Sequence, residues 1–237
     1  MKKGLSWLLL MLLSTAALQA QDDKKNDDKY KVNTHNDFVL NLGLNNYLQG
    51  SEFPDATGEQ YTLRPFNSWV VGIGSVYKTR FSRSFYVEWG GDVSLNNYRF
   101  DDAQTLIVRS ATGISFETDN RTDIKFLKSK LTAGFVNASF IPMVRLGGSG
   151  KSLRIGAGLY AGYRVTSVAR NIYRVDENIL RNRTPANYYL ENVHYGVKAR
   201  LGFRDMDFFA TYELNPLFTP GRGPELNVVS VGVSLMD

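Results

Sequence analysis

The sequence predicts an all-β fold, specifically an eight-stranded antiparallel up-and-down transmembrane β-barrel. Three observations support this. Beyond residue 36, apolar and polar residues alternate with a period of two, which is typical of strands with two unlike faces. Several alternating stretches are longer than the roughly 5 to 6 residues of a common soluble strand. The connections between them alternate between long and short, as in outer-membrane barrels.

The first 36 residues precede this pattern and predict two segments. Residues 1–20 place Lys2 and Lys3 before an apolar run at 5–13 and then small residues, which is typical of a signal peptide. That run is shorter than the roughly 20 residues that a membrane-spanning helix needs. Residues 21–36 are highly charged and predict a flexible periplasmic leader, so the barrel is expected over residues 37–237.

Eight stretches carry the alternation. The clearest is 153–165, where leucine, isoleucine, alanine and tyrosine alternate with glycine and arginine. The stretch 124–144 is less regular: Leu131 and Phe135 share one parity, whereas Val136 and Phe140 take the other. A β-bulge near Phe135 would flip the phase and explain the change. The other stretches lie at about 38–45, 69–77, 85–95, 193–203, 208–214 and 229–235.

Alternation alone fits either a membrane barrel or a soluble sandwich, and the connections favour the barrel. Long connections are expected at 46–66, 98–123, 168–188 and 216–225, with short turns between them. This layout puts the long loops outside the cell and both chain ends in the periplasm. The loop 98–123 contains its own alternating stretch, which predicts either a projecting hairpin or an inward lid. The arginines of 168–188 could contact lipopolysaccharide phosphates or lie in solvent.

The polar faces predict a charged lumen, because eight strands enclose an interior that side chains just fill. We expect Glu88 and Asp92 to meet lysines of the next barrel strand, and Glu213 to meet Lys198 or Arg200, since buried charges need partners. Inward glycines could make room for bulky neighbours or for water. A salt-bridged structural network and a narrow pore both fit this pattern. The expected lumen residues are Glu88, Asp92, Lys128, Lys130, Arg154, Arg164, Lys198, Arg200 and Glu213.

Composition and motifs give little indication of a catalytic, metal or cofactor site. The chain has no Cys and two His, which excludes disulfides, thiolate sites and multi-histidine metal centres, and no cofactor is expected. The basic residues are scattered, so nucleic-acid binding is not expected. His194 is the histidine of a predicted barrel strand and points inward, which fits a lumen hydrogen bond better than catalysis at the lipid interface. The GGSGKS stretch at 147–152 lacks the first glycine of a phosphate-binding loop.

Four stretches resemble the PorT-like outer-membrane β-barrel family of Bacteroidota over about residues 37–237. They are ALQAQ at residues 17–21, where the predicted signal peptide meets the leader, SFYVEWGGDVSLNNYRF, GAGLYAGYRV and the closing YELNPLFTPGRGPELNVVSVGVSL. The resemblance implies an outer-membrane barrel without catalytic residues, and a link of some members to protein secretion and gliding motility.

The function expected from the sequence is therefore non-enzymatic. We predict an integral outer-membrane protein with a structural or accessory role, in protein secretion or surface interaction. Its expected partners are outer-membrane lipid, lipopolysaccharide and unidentified surface or secreted proteins. Two alternatives stay open at this point, a small passive pore and an outer-membrane lipid-modifying enzyme.

Overall fold

The computed structural model describes residues 31–54, 59–64, 66–147, 153–204 and 206–237. The predicted signal peptide and most of the predicted leader lie outside these residues. No helix of the described residues is long and apolar enough to cross a membrane. The strands, in chain order, are β1 Asn33–Gln49, β2 Trp69–Arg80, β3 Phe85–Arg99, β4 Thr105–Arg109, β5 Ile114–Thr118, β6 Lys125–Leu146, β7 Leu153–Val175, β8 Asn178–Pro185, β9 Val193–Phe203, β10 Met206–Glu213 and β11 Leu226–Met236.

Eight of these strands close into a ring, which confirms the predicted fold class. Each of β1, β2, β3, β6, β7, β9, β10 and β11 pairs antiparallel with its neighbour along the chain, and β1 pairs with β11 to complete the barrel. Because the barrel is closed, its ladder has no exposed edge that lipid would leave unpaired. All eight predicted stretches correspond to these strands. β1, however, begins at Asn33, so residues 33–36 belong to the barrel and not to the predicted leader.

The apolar face of the strands points outward. Large side chains such as Val93, Phe140, Leu159 and Tyr163 are exposed on the outside, whereas the opposite faces are buried. At one end of this surface Trp69 begins β2, and at the other Tyr77 stacks on Trp89 with ring centroids 4.6 Å apart. Residues 69 and 77 lie roughly 26 Å apart along the strand, or about 20 Å vertically at the usual tilt. This height approaches the apolar band of about 25 Å that membrane barrels present to lipid.

The protein is therefore an integral barrel of the outer membrane, because an apolar exterior of this height around a buried charged interior is stable in lipid and not in water. The short connections at 81–84, 147–152 and 204–205 share one end with both strand termini, Asn33 and Met236. The long connections at 50–68, 100–124, 176–192 and 214–225 share the other end. We refer to these as the inner and outer ends.

The irregularity predicted near Phe135 exists, but it belongs to the neighbouring strand. Gly134 pairs with Thr166 and Phe135 with Arg164, so the additional residue is Val165 of β7. Around Phe135 the alternation of β6 continues without a break: Phe135 is 2% exposed and Val136 is 48% exposed. The sequence prediction of a phase flip in β6 is thus wrong. Its apolar residues Leu131, Ala133 and Phe135 point into the lumen and not at lipid.

Candidate functional site

The lumen is closed by three layers of side chains, and the middle one is polar. Glu88 of β3 and Arg200 of β9 form an ion pair across the lumen, with 2.7 Å between Oε2 and Nη1. The other Arg200 amino group donates to Ser234, whose hydroxyl donates to Asn41 at 2.6 Å. Both charged side chains are almost fully buried, at 2% and 3% exposure. We call this region the polar layer; it comprises Asn41, Glu88, Asp92, Ser94, Asn137, His194, Lys198, Arg200, Glu213, Ser230 and Ser234.

His194 lies at the centre of the polar layer and is fully engaged. Its Nδ1 lies 2.8 Å from Glu213 Oε1 and its Nε2 lies 2.8 Å from Asn137 Oδ1. The Asn137 amide nitrogen donates to Asp92 and Ser94, so its oxygen accepts from the ring. Both ring nitrogens therefore lie within hydrogen-bond distance of an oxygen atom.

Glycines of β7 and β9 make the space for these groups. A Cβ placed on Gly162 would lie 2.2 Å from His194 Nε2, and one placed on Gly202 would lie 2.5 Å from both Arg154 Nε and Asp207 Oδ1. The inward glycines thus accommodate bulky polar neighbours. The space that remains in the polar layer is a cavity of about 60 Å³, with about 10 Å³ below it beside Glu88 and Arg200. Volumes of this size hold a few water molecules.

The outer third of the lumen is apolar, which the sequence did not predict. Inward side chains of β1, β3, β6, β7 and β11 meet side chains that the outer loops fold down into the barrel mouth. At its lower edge the Phe135 ring stacks on the His194 ring, with centroids 4.1 Å apart. We call this region the apolar plug; it comprises Tyr47, Tyr61, Leu63, Tyr98, Phe100, Leu131, Ala133, Phe135, Ala169, Tyr188, Leu190, Leu217, Phe218, Leu226 and Val228.

The outer loops are joined into one cap over the apolar plug. Strands β4 and β5 form the hairpin that the alternation in 98–123 predicted, and it packs inward as a lid. Phe116 of β5 contacts the rings of Tyr61, Phe100 and Phe218, with centroids 5.3 to 6.2 Å apart. The hairpin also bonds to each of the other three outer loops, because Thr105 donates to the Gln60 carbonyl, Ile114 to that of Arg222, and Tyr189 to that of Ser110.

The inner end is closed by a smaller group. Tyr86, Ile141 and Met143 form a buried apolar cluster there. Around it lie two ion pairs, Lys78 with Asp37 at 2.5 Å and Arg154 with Asp207 at 3.1 Å. The described part of the lumen is therefore blocked at the outer end, at the middle and at the inner end.

Several sequence-predicted site residues lie where they were expected, with other partners. Glu88, Asp92, Lys198, Arg200 and Glu213 line the lumen cavities. The predicted contacts differ: Glu88 pairs with Arg200 and not with a lysine of β6, Asp92 accepts from Asn137, and Glu213 meets His194. Strand adjacency suggested neighbour pairs, whereas a closed barrel also brings opposite walls together.

Four predicted lumen residues have a different position. Lys128 and Lys130 have the parity of Val136 in β6 and lie on the outer face, which corrects their assignment to the lumen. Arg154 lies at the inner mouth with Asp207. Arg164 lies at the β7 bulge, where it binds the outer loop 176–192 through Asn187, Asn192 and the Leu190 carbonyl. The predicted loop 168–188 is a continuation of β7 paired with β8.

The histidine considered for catalysis lies away from the lipid interface. His194 is buried in the lumen and contacts no exposed hydroxyl. No group of three or more His, Asp or Glu among the described residues could hold a metal ion.

Comparison with known proteins gives limited information. No family model matches the chain, and no curated protein is significantly similar to it. The crystal structure of Ail, the attachment invasion locus protein of Yersinia pestis, aligns over 84% of this chain and 97% of that chain, with 12% identity and a TM-score of 0.32. Ail in complex with the heparin analogue sucrose octasulfate aligns over 87% and 100%, with 11% identity and a TM-score of 0.33. Similarity at this level is too low to transfer a function.

Proposed function

We propose that this chain is a non-enzymatic outer-membrane scaffold: a sealed barrel that holds a rigid surface of outer loops at the cell exterior. The observation that carries the proposal is the closure of the lumen at three levels, together with the joining of all outer loops into one cap. Because the interior of such a barrel is filled by packed side chains, its outer surface is the part left for interaction with other molecules. Its role is then structural or accessory, towards surface or secreted proteins and lipopolysaccharide.

The family assignment is part of this proposal. The PorT-like resemblance of residues 84–100, 156–165 and 212–235 supports membership and with it an accessory role in secretion. Deleting the gene in its native host and measuring secreted proteins tests that role. Unchanged secretion would leave surface interaction as the function.

Orientation can be tested directly, because the chain has no Cys. Glu177 lies in the turn between β7 and β8 at the outer end, and Arg83 lies in a short turn at the inner end. In intact cells, a membrane-impermeant maleimide should label Glu177→Cys and leave Arg83→Cys unlabelled until the outer membrane is opened. Labelling of Arg83→Cys alone would reverse the orientation and refute the surface role.

The passive-pore alternative makes the opposite electrical prediction. With the apolar plug and the polar layer in place, the purified protein should give no stepwise conductance in planar bilayers. Stable unitary currents would refute the sealed scaffold. For the enzyme alternative, a lipid A mass spectrum that changes on deletion and is restored by the wild-type chain would contradict the non-enzymatic role.

A further inference from the structure

Four basic residues lie side by side on the outer surface of the barrel, just above its apolar band. Arg99 of β3 pairs with Lys130 of β6, Lys130 with Arg170 of β7, and Arg170 with Arg183 of β8. Each pair is directly opposed across its ladder, so four positive charges cross four neighbouring strands in one row. We call these residues the basic row.

The basic row lacks acidic partners. None of the ion pairs among the described residues includes any of its four members, and Arg99 donates instead to the neutral Asn67 side chain at 2.8 Å. The acidic residues that follow Arg170 on the same hairpin, Asp176 and Glu177, lie roughly 20 Å further along the strand. Like charges directly opposed in a sheet are destabilising. Asp101, two residues beyond Arg99, pairs with Arg64, so the row has no ion-pair partner among the described residues.

The position of the basic row relative to the membrane indicates which ligand would balance its positive charge. Two residues nearer the membrane, the adjacent row of paired residues comprises Trp69, Asn97, Thr132 and Val168. The exposed Trp69 ring has the character of an interface residue, and Lys130 Nζ lies 6.0 Å from its centroid. Two residues correspond to roughly 7 Å, so the basic row lies at the level of lipid headgroups.

Further basic side chains surround the row on the same face. Lys128 lies next to Lys130 on β6, and Arg181 lies next to Arg183 on β8, both with the parity of the row. This face continues directly from the lipid-facing surface below it. A rigid array of cations at the edge of an apolar surface fits a ligand with an acyl portion and a phosphorylated headgroup.

We propose that the basic row binds the phosphate groups of the outer-leaflet glycolipid, with Lys130 and Arg170 at its centre. This inference rests on the proposed function, because it needs the barrel to span the outer membrane with its loops outward.

The test uses the full chain in nanodiscs of neutral phospholipid doped with either phosphorylated lipid A or lipid A whose phosphates have been removed. Lipid retained by the protein is measured by native mass spectrometry. The wild-type chain should retain phosphorylated lipid A at least about tenfold better. Lys130→Gln with Arg170→Gln should abolish this preference.

The matched control is Arg80→Gln with Arg204→Gln, which removes the same charge at the inner end. It should keep the preference. Heat-modifiable gel migration checks that each variant is folded. A preference that survives in Lys130→Gln/Arg170→Gln, or is absent from the wild type, would overturn the inference. So would binding that inorganic phosphate or a soluble sulfated polysaccharide displaces equally well. Each of these outcomes would leave the maleimide and conductance results intact, so the two proposals fail separately.

Discussion

The middle and the outer third of the lumen are filled by side chains of opposite character, polar in the middle and apolar in the outer third. In the polar layer, directional contacts join buried groups in pairs, as Glu88 with Arg200 and Glu213 with His194. In the apolar plug, aromatic and aliphatic side chains from strands and loops pack without such specificity. Phe135 joins the two regions by stacking on His194. Strand geometry therefore decides which side chains point into the lumen. Whether those side chains are polar or apolar depends on the groups that fill the lumen at that height.

The largest effect should come from splitting the central ion pair. Glu88→Leu or Arg200→Met alone leaves one buried charge uncompensated, which costs about 3–5 kcal/mol of unfolding free energy. The double variant should recover most of that loss, because both charges are gone. Denaturant unfolding in phospholipid vesicles measures all three.

The control for the ion pair is Asp101→Asn, which breaks the exposed pair with Arg64 and should cost less than about 1 kcal/mol. Single variants as stable as the wild type would contradict a directional polar layer.

The next effect concerns the apolar plug. Phe135→Ala should cost about 3–5 kcal/mol, because it opens a cavity between the plug and the polar layer. The adjacent Val136→Ala, on the lipid face, should cost less than about 1 kcal/mol, since lipid fills the vacated space. Equal costs for the two neighbours would remove the distinction between inside and outside in β6.

A smaller effect is expected from Gly162→Ala. The added methyl group overlaps His194 and Asn137, and overpacking of this kind costs roughly 1–3 kcal/mol. Ala161→Val, on the outward face of the same strand, is the control and should leave stability nearly unchanged. A neutral Gly162→Ala would mean that the polar layer can rearrange.

The smallest effect lies in the cap. The Arg121 guanidinium donates to Asp119 and lowers the pKa of that carboxyl below its ordinary value. Since the folded pKa is lowered, the stabilisation is present above the ordinary value and is lost as pH falls through the lowered one. Hydrogen exchange in β4 and β5, corrected for its intrinsic pH dependence, should therefore increase at acidic pH. Asp119→Asn should show the faster exchange already at neutral pH, and a wild-type rate there would contradict this role.

Much of the fold could be predicted from the sequence, because a two-residue period marks each strand and the spacing of turns marks the topology. The two faces of a strand were also predictable, but not always which face points inward. In β6 both faces carry apolar residues, so Lys130 was placed in the lumen when it lies outside.

Contacts within the lumen were less predictable. The pairing of Glu88 with Arg200 depends on how far opposite strands shift when the barrel closes, and the sequence carries no local signal for that. The apolar plug had one signal, the apolar residues within the outer loops, such as Leu63, Leu190 and Phe218. Soluble loops seldom need several large apolar side chains.

The central claim is that the apolar faces contact lipid while the opposite faces fill a sealed lumen. Quenching of tryptophan fluorescence by brominated lipid tests it most directly, because Trp69 and Trp89 both lie on the outer face. With the other tryptophans changed to phenylalanine, Trp89 should be strongly quenched in vesicles. A tryptophan introduced at Phe135 in the tryptophan-free chain should not be. Quenching at position 135, or none at Trp89, would contradict the account.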